Sequence, residues 1–310
     1  MRIAAFALAV SAVVSAAPRD GQLPAAPTTA DLAPTLARFF ETTTQYAQTF
    51  RNLTAEETRV IEEFDDAGRV RKRREIVADL VVYRSARSGD GGAEFRDVRL
   101  VDGKAVSQRG KRALDLITRA MTRASLEEEL RLIGRESQRY EFKWHVGNFA
   151  MNQTHRPEAT VRADFRFNQV GPARLNAHDV VEIEYREVVP RSQQPGIDRH
   201  YKGMGITSFF ERGRLWLDAA TSQLRRSRFE FAGVHPALPE PIQLLGIEST
   251  YVESRFGILV PERVIVEFYE NRKSKAKPAF ALTARTTYTY GQFRQFGVTT
   301  DETVATPTGR

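Results

Sequence analysis

The chain has 310 residues, with 46 lysines and arginines against 39 acidic residues, and no cysteine. The missing thiol excludes a disulfide framework, a Cys-ligated metal or iron–sulfur cluster, a thiol nucleophile and a lipid-modified N-terminal cysteine. Apolar residues make up 41% and aromatics 10% of the chain, too many for a disordered one, and at this length folding buries roughly 75% of the unfolded surface.

The N-terminus reads as an export signal. Arg2 gives a short basic start, Ile3 to Val14 is apolar or small throughout, and Ser15-Ala16-Ala17 precedes Pro18. This is the layout of a cleavable signal peptide over residues 1–16, with Val14 and Ala16 at the small-residue positions and cleavage after Ala16. The apolar run falls short of the ~20 residues of a spanning helix. The expected location is therefore periplasmic or secreted, with no integral membrane span after cleavage. Residues 17–29 are Pro-rich and polar, and read as a linker.

A helix is predicted from Asp31, a plausible N-cap, with Pro34 tolerated in the first turn. Leu32, Leu36, Phe39, Phe40 and Phe50 form its apolar stripe. A second helical region is predicted over 112–139, where Ala113, Leu116, Ile117, Ala120, Met121 and Ala124 keep a helical period and Ser125-Leu126-Glu127-Glu128 has capping-box spacing.

The rest reads as strand. Tyr140, Phe142, Trp144 and Val146 alternate with Glu141, Lys143 and His145. Val161, Ala163, Phe165 and Phe167 alternate with polar neighbours, as do Val181, Ile183 and Tyr185, and Val264, Val266 and Phe268. Phe280 to Tyr290 continues the pattern, and the strands at 69–84 and 279–296 are long enough to curve. A period of two with one polar face means antiparallel strands with one face in water. Turn chemistry at Asp65–Gly68, Ser88–Gly92, Asp102-Gly103 and Asp218–Ser222 separates them. Residues 234–241 hold three prolines and read as a loop, and 301–310 as a polar tail. The expected fold is mainly β (α+β): a curved antiparallel sheet or incomplete β-barrel of about eleven strands, with helices covering the concave face, in one domain over 30–300.

Of the 46 basic residues, 38 are arginine and 8 are lysine, spread along the chain. Two local runs, Arg69 to Arg74 and Arg272 to Lys277, sit near predicted hairpin turns. They read as solvated strand ends, with attraction to an anionic lipid surface as the sharper alternative. Nucleic acid is not an expected partner of an exported chain.

Several stretches carry a family resemblance. They are Phe95-Arg96-Asp97-Val98-Arg99-Leu100-Val101-Asp102-Gly103-Lys104, Gly213-Arg214-Leu215-Trp216-Leu217-Asp218 with its return Leu224-Arg225-Arg226, and the ending Tyr288-Thr289-Tyr290-Gly291-Gln292-Phe293-Arg294-Gln295-Phe296-Gly297-Val298. Together with the export signal, the leading helix and the inserted helical region, they make residues 30–300 resemble the LolA/LolB/RseB-like periplasmic half-barrel superfamily and exported proteins of unassigned function sharing that fold. The resemblance implies an incomplete barrel closed by helices, with an apolar inner face of lipid size. It carries over no contact with a release machinery.

Catalytic chemistry is not signalled. The histidines (His145, His155, His178, His200, His235) fall in no metal-binding spacing, there is no GxSxG elbow, and Gly203-Met204-Gly205 lacks a phosphate-loop continuation. No cofactor or metal is expected. Glu182 and Glu184 share a strand face, as a paired-carboxylate acid–base site would, but Arg186 beside them reads as a solvated outer face.

The aromatic strand faces are the best candidates for function. Phe142, Trp144, Phe165, Phe167, Tyr185, Phe229, Phe231, Phe268 and Tyr288 fall on predicted inward faces. They either fill the core beneath the helices or line an apolar groove for an acyl chain. Burying such a chain yields about 0.8 kcal/mol per methylene, so no charged anchor is required. The leading expectation is a non-catalytic envelope protein that binds or carries a lipid, lipoprotein or other apolar ligand. The alternatives are an interaction or sensing module for an envelope protein partner, and a secreted hydrolase needing a cleft with groups of perturbed pKa.

Overall fold

A computed structural model describes residues 32–49, 52–84, 92–106, 138–141, 164–188, 201, 203–273 and 278–295. The expected signal peptide, linker and tail lie outside the described residues, as do almost all of the predicted helical region and the strand predicted from Tyr140. Gln138, Arg139 and Tyr140 form a turn, so neither that helix nor that strand includes them.

Helix α1 (Ala33–Thr49) forms as its apolar spacing predicts. Leu32, just before it, and Leu36, Phe39, Phe40 and Tyr46 are buried along one stripe. The run Thr42-Thr43-Thr44 is unusual for a helix interior. Its hydroxyls donate back to the carbonyls of Phe39, Phe40 and Phe40 at 2.8, 2.8 and 3.0 Å, the bonding by which threonine is accommodated inside a helix.

Eleven strands follow: β1 (Asn52–Phe64), β2 (Val70–Arg84), β3 (Gly92–Val101), β4 (Lys104–Ala105), β5 (Phe165–Leu175), β6 (His178–Glu187), β7 (Ser208–Asp218), β8 (Leu224–Val234), β9 (Ile242–Glu253), β10 (Leu259–Asn271) and β11 (Phe280–Gln295). They make one sheet in the order β4-β3-β2-β1-β11-β10-β9-β8-β7-β6-β5, and every pairing between neighbours is antiparallel. β4 and β5 end the ladder without pairing to each other, so the sheet is open and not a closed barrel. The fold is mainly β, and α1 is the one α-helix among the described residues.

The two faces of the sheet differ in chemistry. The inner face, which α1 covers, carries Phe165, Phe167, Ile183, Leu215 and Leu217 packed against Leu36, Phe39 and Phe40. Farther along, Leu53, Ala55, Leu80, Val264, Val266, Ala284 and Tyr288 form a second cluster that reaches Tyr46. The outer face is lined by arginine and glutamate. Arg285 pairs with Glu267 at 2.8 Å, Arg226 with Glu248 at 2.9 Å and Arg228 with Glu230 at 2.9 Å.

Alternation is regular from Ala284 to Tyr290, but the pattern predicted back to Phe280 breaks at a bulge between Leu282 and Ala284. The extra residue there, Thr283, is buried, and its hydroxyl donates to the Phe268 carbonyl at 3.1 Å. The basic run Arg69 to Arg74 is largely neutralised in place. Arg69 pairs with Asp65, Arg71 and Lys72 with Glu63, and Arg73 with Glu75. From the second run, Arg272 holds Asp66 at 3.1 Å and the Phe64 carbonyl at 2.8 Å, tying the ends of two hairpins together.

The predicted turn at Asp218 is built around its carboxylate. One oxygen accepts from the Ala220 and Thr221 amides at 3.1 and 3.0 Å, and the other from Arg225 Nε at 2.7 Å. Burial alone would raise the Asp218 pKa; the Arg225 and Thr221 donors outweigh it and hold the carboxyl below its ordinary value. A depressed folded pKa contributes stability above the unfolded value and loses it as pH falls through the folded value. Asp218→Asn is therefore expected to cost about 1–3 kcal/mol at neutral pH in urea unfolding. The gap to the parent protein should close as the pH is lowered below about 4.

Candidate functional site on the inner face

The structure brings the described aromatic candidates to one face and divides them among packed clusters. Phe165, Phe167 and Tyr185 sit with the α1 side chains. Tyr185 meets Phe165 edge-on at 5.8 Å and Phe167 at 6.1 Å between centroids. Phe231 joins Tyr201 and Phe209, onto which it stacks at 5.3 Å and 6°. Phe268 and Tyr288 lie in the cluster that reaches Tyr46, and Phe229 bridges it to the Phe231 cluster. Phe142 and Trp144 lie outside the described residues.

Coverage of these rings is uneven. Phe165, Phe167, Phe231, Phe268 and Tyr288 are buried, whereas Tyr185 and Phe229 are half-buried. The latter two are joined through Gly213, the register partner of both. A Cβ at Gly213 would come within 2.1 Å of the Arg228 carbonyl oxygen and 2.5 Å of the Tyr185 hydroxyl, so the Tyr185 ring lies where only a glycine leaves room. That junction is a half-covered aromatic part of the inner face.

Sequence reasoning missed a charged cluster on the same face. Glu57 and Arg59 of β1 occupy inner positions between Ala55 and Ile61, and Glu94 and Arg96 of β3 do likewise. All four are buried. Arg96 contacts Glu57 at 2.8 Å and Glu94 at 2.6 Å; Arg59 contacts Glu57 at 3.0 Å and also Glu141. Tyr288 and Tyr290 stack beside them at 6.4 Å and 9°. Burial pushes the Tyr288 hydroxyl up to about 12, against the opposing pull of Arg59 and Arg96. The Tyr290 hydroxyl is also raised well above its ordinary value, first by burial and then by Glu57 and Glu94. Burial also lowers the Arg59 pKa, against the attraction of Glu57. The sequence carried a faint sign of this cluster: β1 reads Leu-Thr-Ala-Glu-Glu-Thr-Arg-Val-Ile, with charges at positions where the face should be apolar.

The paired carboxylates Glu182 and Glu184 face outward and both engage Arg214, Glu182 at 2.7 Å. They form an ion-pair triad on the polar face. His235 is buried, and its Nδ1 accepts from the Ala237 amide at 3.1 Å.

No protein-family model matches the chain, and no curated protein matches it closely. Among solved structures it is similar to an outer membrane lipoprotein-sorting protein domain from Vibrio parahaemolyticus, at 10% identity and a TM-score of 0.39, over 83% of this chain and 91% of that one. It is similar to a DUF1329 family protein from Desulfovibrio piger at 11% identity and a TM-score of 0.34, over 84% and 93%. It is also similar to a chain of the Pseudomonas aeruginosa MucA/MucB complex at 11% identity and a TM-score of 0.23, over 86% and 100%.

The buried cluster makes a sharp energetic prediction. Arg96→Met leaves Glu57 and Glu94 facing each other without that guanidinium and is expected to cost about 3–5 kcal/mol. Adding Glu57→Gln should recover part of the loss, so that the two changes are non-additive in a double-mutant cycle read by denaturant unfolding.

Proposed function

We propose that this chain is an exported, non-catalytic protein of the cell envelope that binds a lipid, an acylated protein or another apolar ligand on the inner face of its sheet. The observation that carries this reading is the single aromatic face on an open sheet, half-covered at Tyr185 and Phe229. Eleven strands spaced ~4.8 Å apart span roughly 50 Å, whereas a helix is roughly 10 Å across, so α1 by itself covers only part of that face. Burial of alkyl carbon at about 0.8 kcal/mol per methylene supplies the affinity without a charged anchor. The export signal read from residues 1–16 places such a ligand in the envelope, and residues 30–300 act as one domain.

A second reading is an interaction module for an envelope protein. Among the described residues β5 pairs only with β6, so one of its edges is open to an added strand. Pro172 within β5 withholds one donor from that edge, which limits its reach.

Titration of the mature protein with a fluorescent fatty acid separates the two. The lipid reading expects saturable uptake with one ligand per chain, weakened about tenfold by Phe229→Ala through lost apolar contact. A well-folded protein that takes up no fatty acid, yet retains one stoichiometric protein from envelope extract, would favour the strand-addition reading.

A further inference from the structure

The outer face obeys a charge rule that one corner breaks. Over β8 to β11 and β1–β2 most arginines of this face stand against carboxylates, as Arg285 does with Glu267, Arg226 with Glu248 and Arg71 with Glu63. Across β5, β6 and β7 the register instead sets Arg166 opposite Arg186, and Arg186 opposite Arg212. Like charges directly opposite on neighbouring strands are destabilising. Arg212 is relieved by Glu230 at 2.9 Å. Arg166 and Arg186 are exposed and form no ion pair among the described residues; Arg186 lies over the Phe210 ring at 4.5 Å. Exposed Arg263 of β10 also forms no ion pair among the described residues, but it stands opposite Thr250 and Thr289 rather than another arginine, so the facing of Arg166 and Arg186 is a matter of register and not of composition alone.

The two unmatched arginines border a groove of about 840 Å³ on the outer face. Arg214, Arg228, Asn168 and Trp216 continue its lining, and the guanidinium of Arg226 stacks on Trp216 at 4.8 Å. Its other cations are already held by Glu182, Glu184, Glu230 and Glu248. The free positive charge therefore concentrates at Arg166 and Arg186. A guanidinium is a planar fork that matches the oxygens of phosphate bidentately. Two such forks on strands ~4.8 Å apart can address a single phosphate group or two linked ones. The strands hold their Cα atoms in fixed register, so little ordering accompanies binding.

We propose that this groove is a binding site for a phosphate-bearing ligand, with Arg166 and Arg186 as the oxyanion clamp. The site lies on the opposite face from the apolar one and stands whether or not that face takes a lipid. The phosphate comes from a soluble phosphate ester or from a phospholipid headgroup, and the chemistry of recognition is the same for both.

Two probes distinguish the sources. Calorimetric titration with inorganic pyrophosphate reports a soluble ligand; co-sedimentation with phosphatidylcholine vesicles, with and without phosphatidylglycerol, reports a headgroup. Both are run on the parent protein, on Arg166→Ala/Arg186→Ala, and on Arg71→Ala/Arg73→Ala, which removes equal charge from β2. Expected is saturable binding of pyrophosphate, or of phosphatidylglycerol vesicles, reduced about tenfold or more by the first double variant and about twofold or less by the second. Arg166→Lys/Arg186→Lys keeps the charge, loses the fork and should fall between them. Thermal melting of the first double variant should match or exceed that of the parent, because a like-charge contact is removed. Binding of neither probe, or equal loss in the two alanine variants, overturns the proposal.

Discussion

Everything in this molecule depends on how an open sheet keeps one of its two faces from water. Strand residues alternate between faces, so each strand of the ladder sends half its side chains to a side that must be covered. Helix α1 begins the covering. Leu36, Phe39 and Phe40 close over Phe165, Phe167, Ile183 and Leu217, and Tyr46 extends the contact to the cluster of Leu53, Val264 and Tyr288. The helix thus joins β5 and β6 at one end of the ladder to β1 and β11 near its middle. β1 and β11 lie at opposite ends of the sequence, and their pairing from Leu53↔Gln295 to Glu63↔Ala284 makes the sheet continuous.

The charged cluster around Glu57, Arg59, Glu94 and Arg96 qualifies this apolar picture. Desolvating ions costs several kcal/mol each, and their mutual attraction offsets that cost only with good geometry. Here geometry is supplied by register. Glu57 and Arg59 lie two apart on β1, Glu94 and Arg96 two apart on β3, and β2 between them sets the apolar Ile76, Ala78, Leu80 and Val82 on that face. A slip of one residue in either pairing would turn these ions to the other face and break every contact at once. The cluster thereby reinforces the strand alignment that the buried apolar side chains of the same face also require.

Much of the fold was legible because long strands repeat their pattern often. The predicted strands 69–84 and 279–296 correspond to Val70–Arg84 and Phe280–Gln295, and the Asp102-Gly103 turn has the positive φ values, 51° and 76°, that its residues favour. β1 was less legible, because Glu57 and Arg59 occupy inner positions and erase the alternation. The bulge at Thr283 was invisible for the same kind of reason: one inserted residue shifts the face without changing composition. For the candidate site, period two placed Phe165, Tyr185, Phe229 and Tyr288 on one side. It did not say which rings meet, since the Tyr185–Gly213–Phe229 junction depends on the register of three strands. The opposed arginines 166 and 186 were hidden likewise, as they are twenty residues of chain apart and become neighbours only through β5–β6 pairing.

The two faces divide the work between apolar cover and charge. An aromatic inner face left part-covered by its own helix suits a ligand that supplies the remaining apolar surface, and an arginine-lined outer face keeps the protein in water. Native mass spectrometry of the protein purified from the cells that make it, with extraction and identification of whatever accompanies it, tests this account most directly. A bound lipid or acylated peptide, lost when Tyr185 and Phe229 are both changed to alanine, is the predicted result. A clean apo mass under conditions that preserve other lipid complexes would contradict it and make the inner face ordinary core.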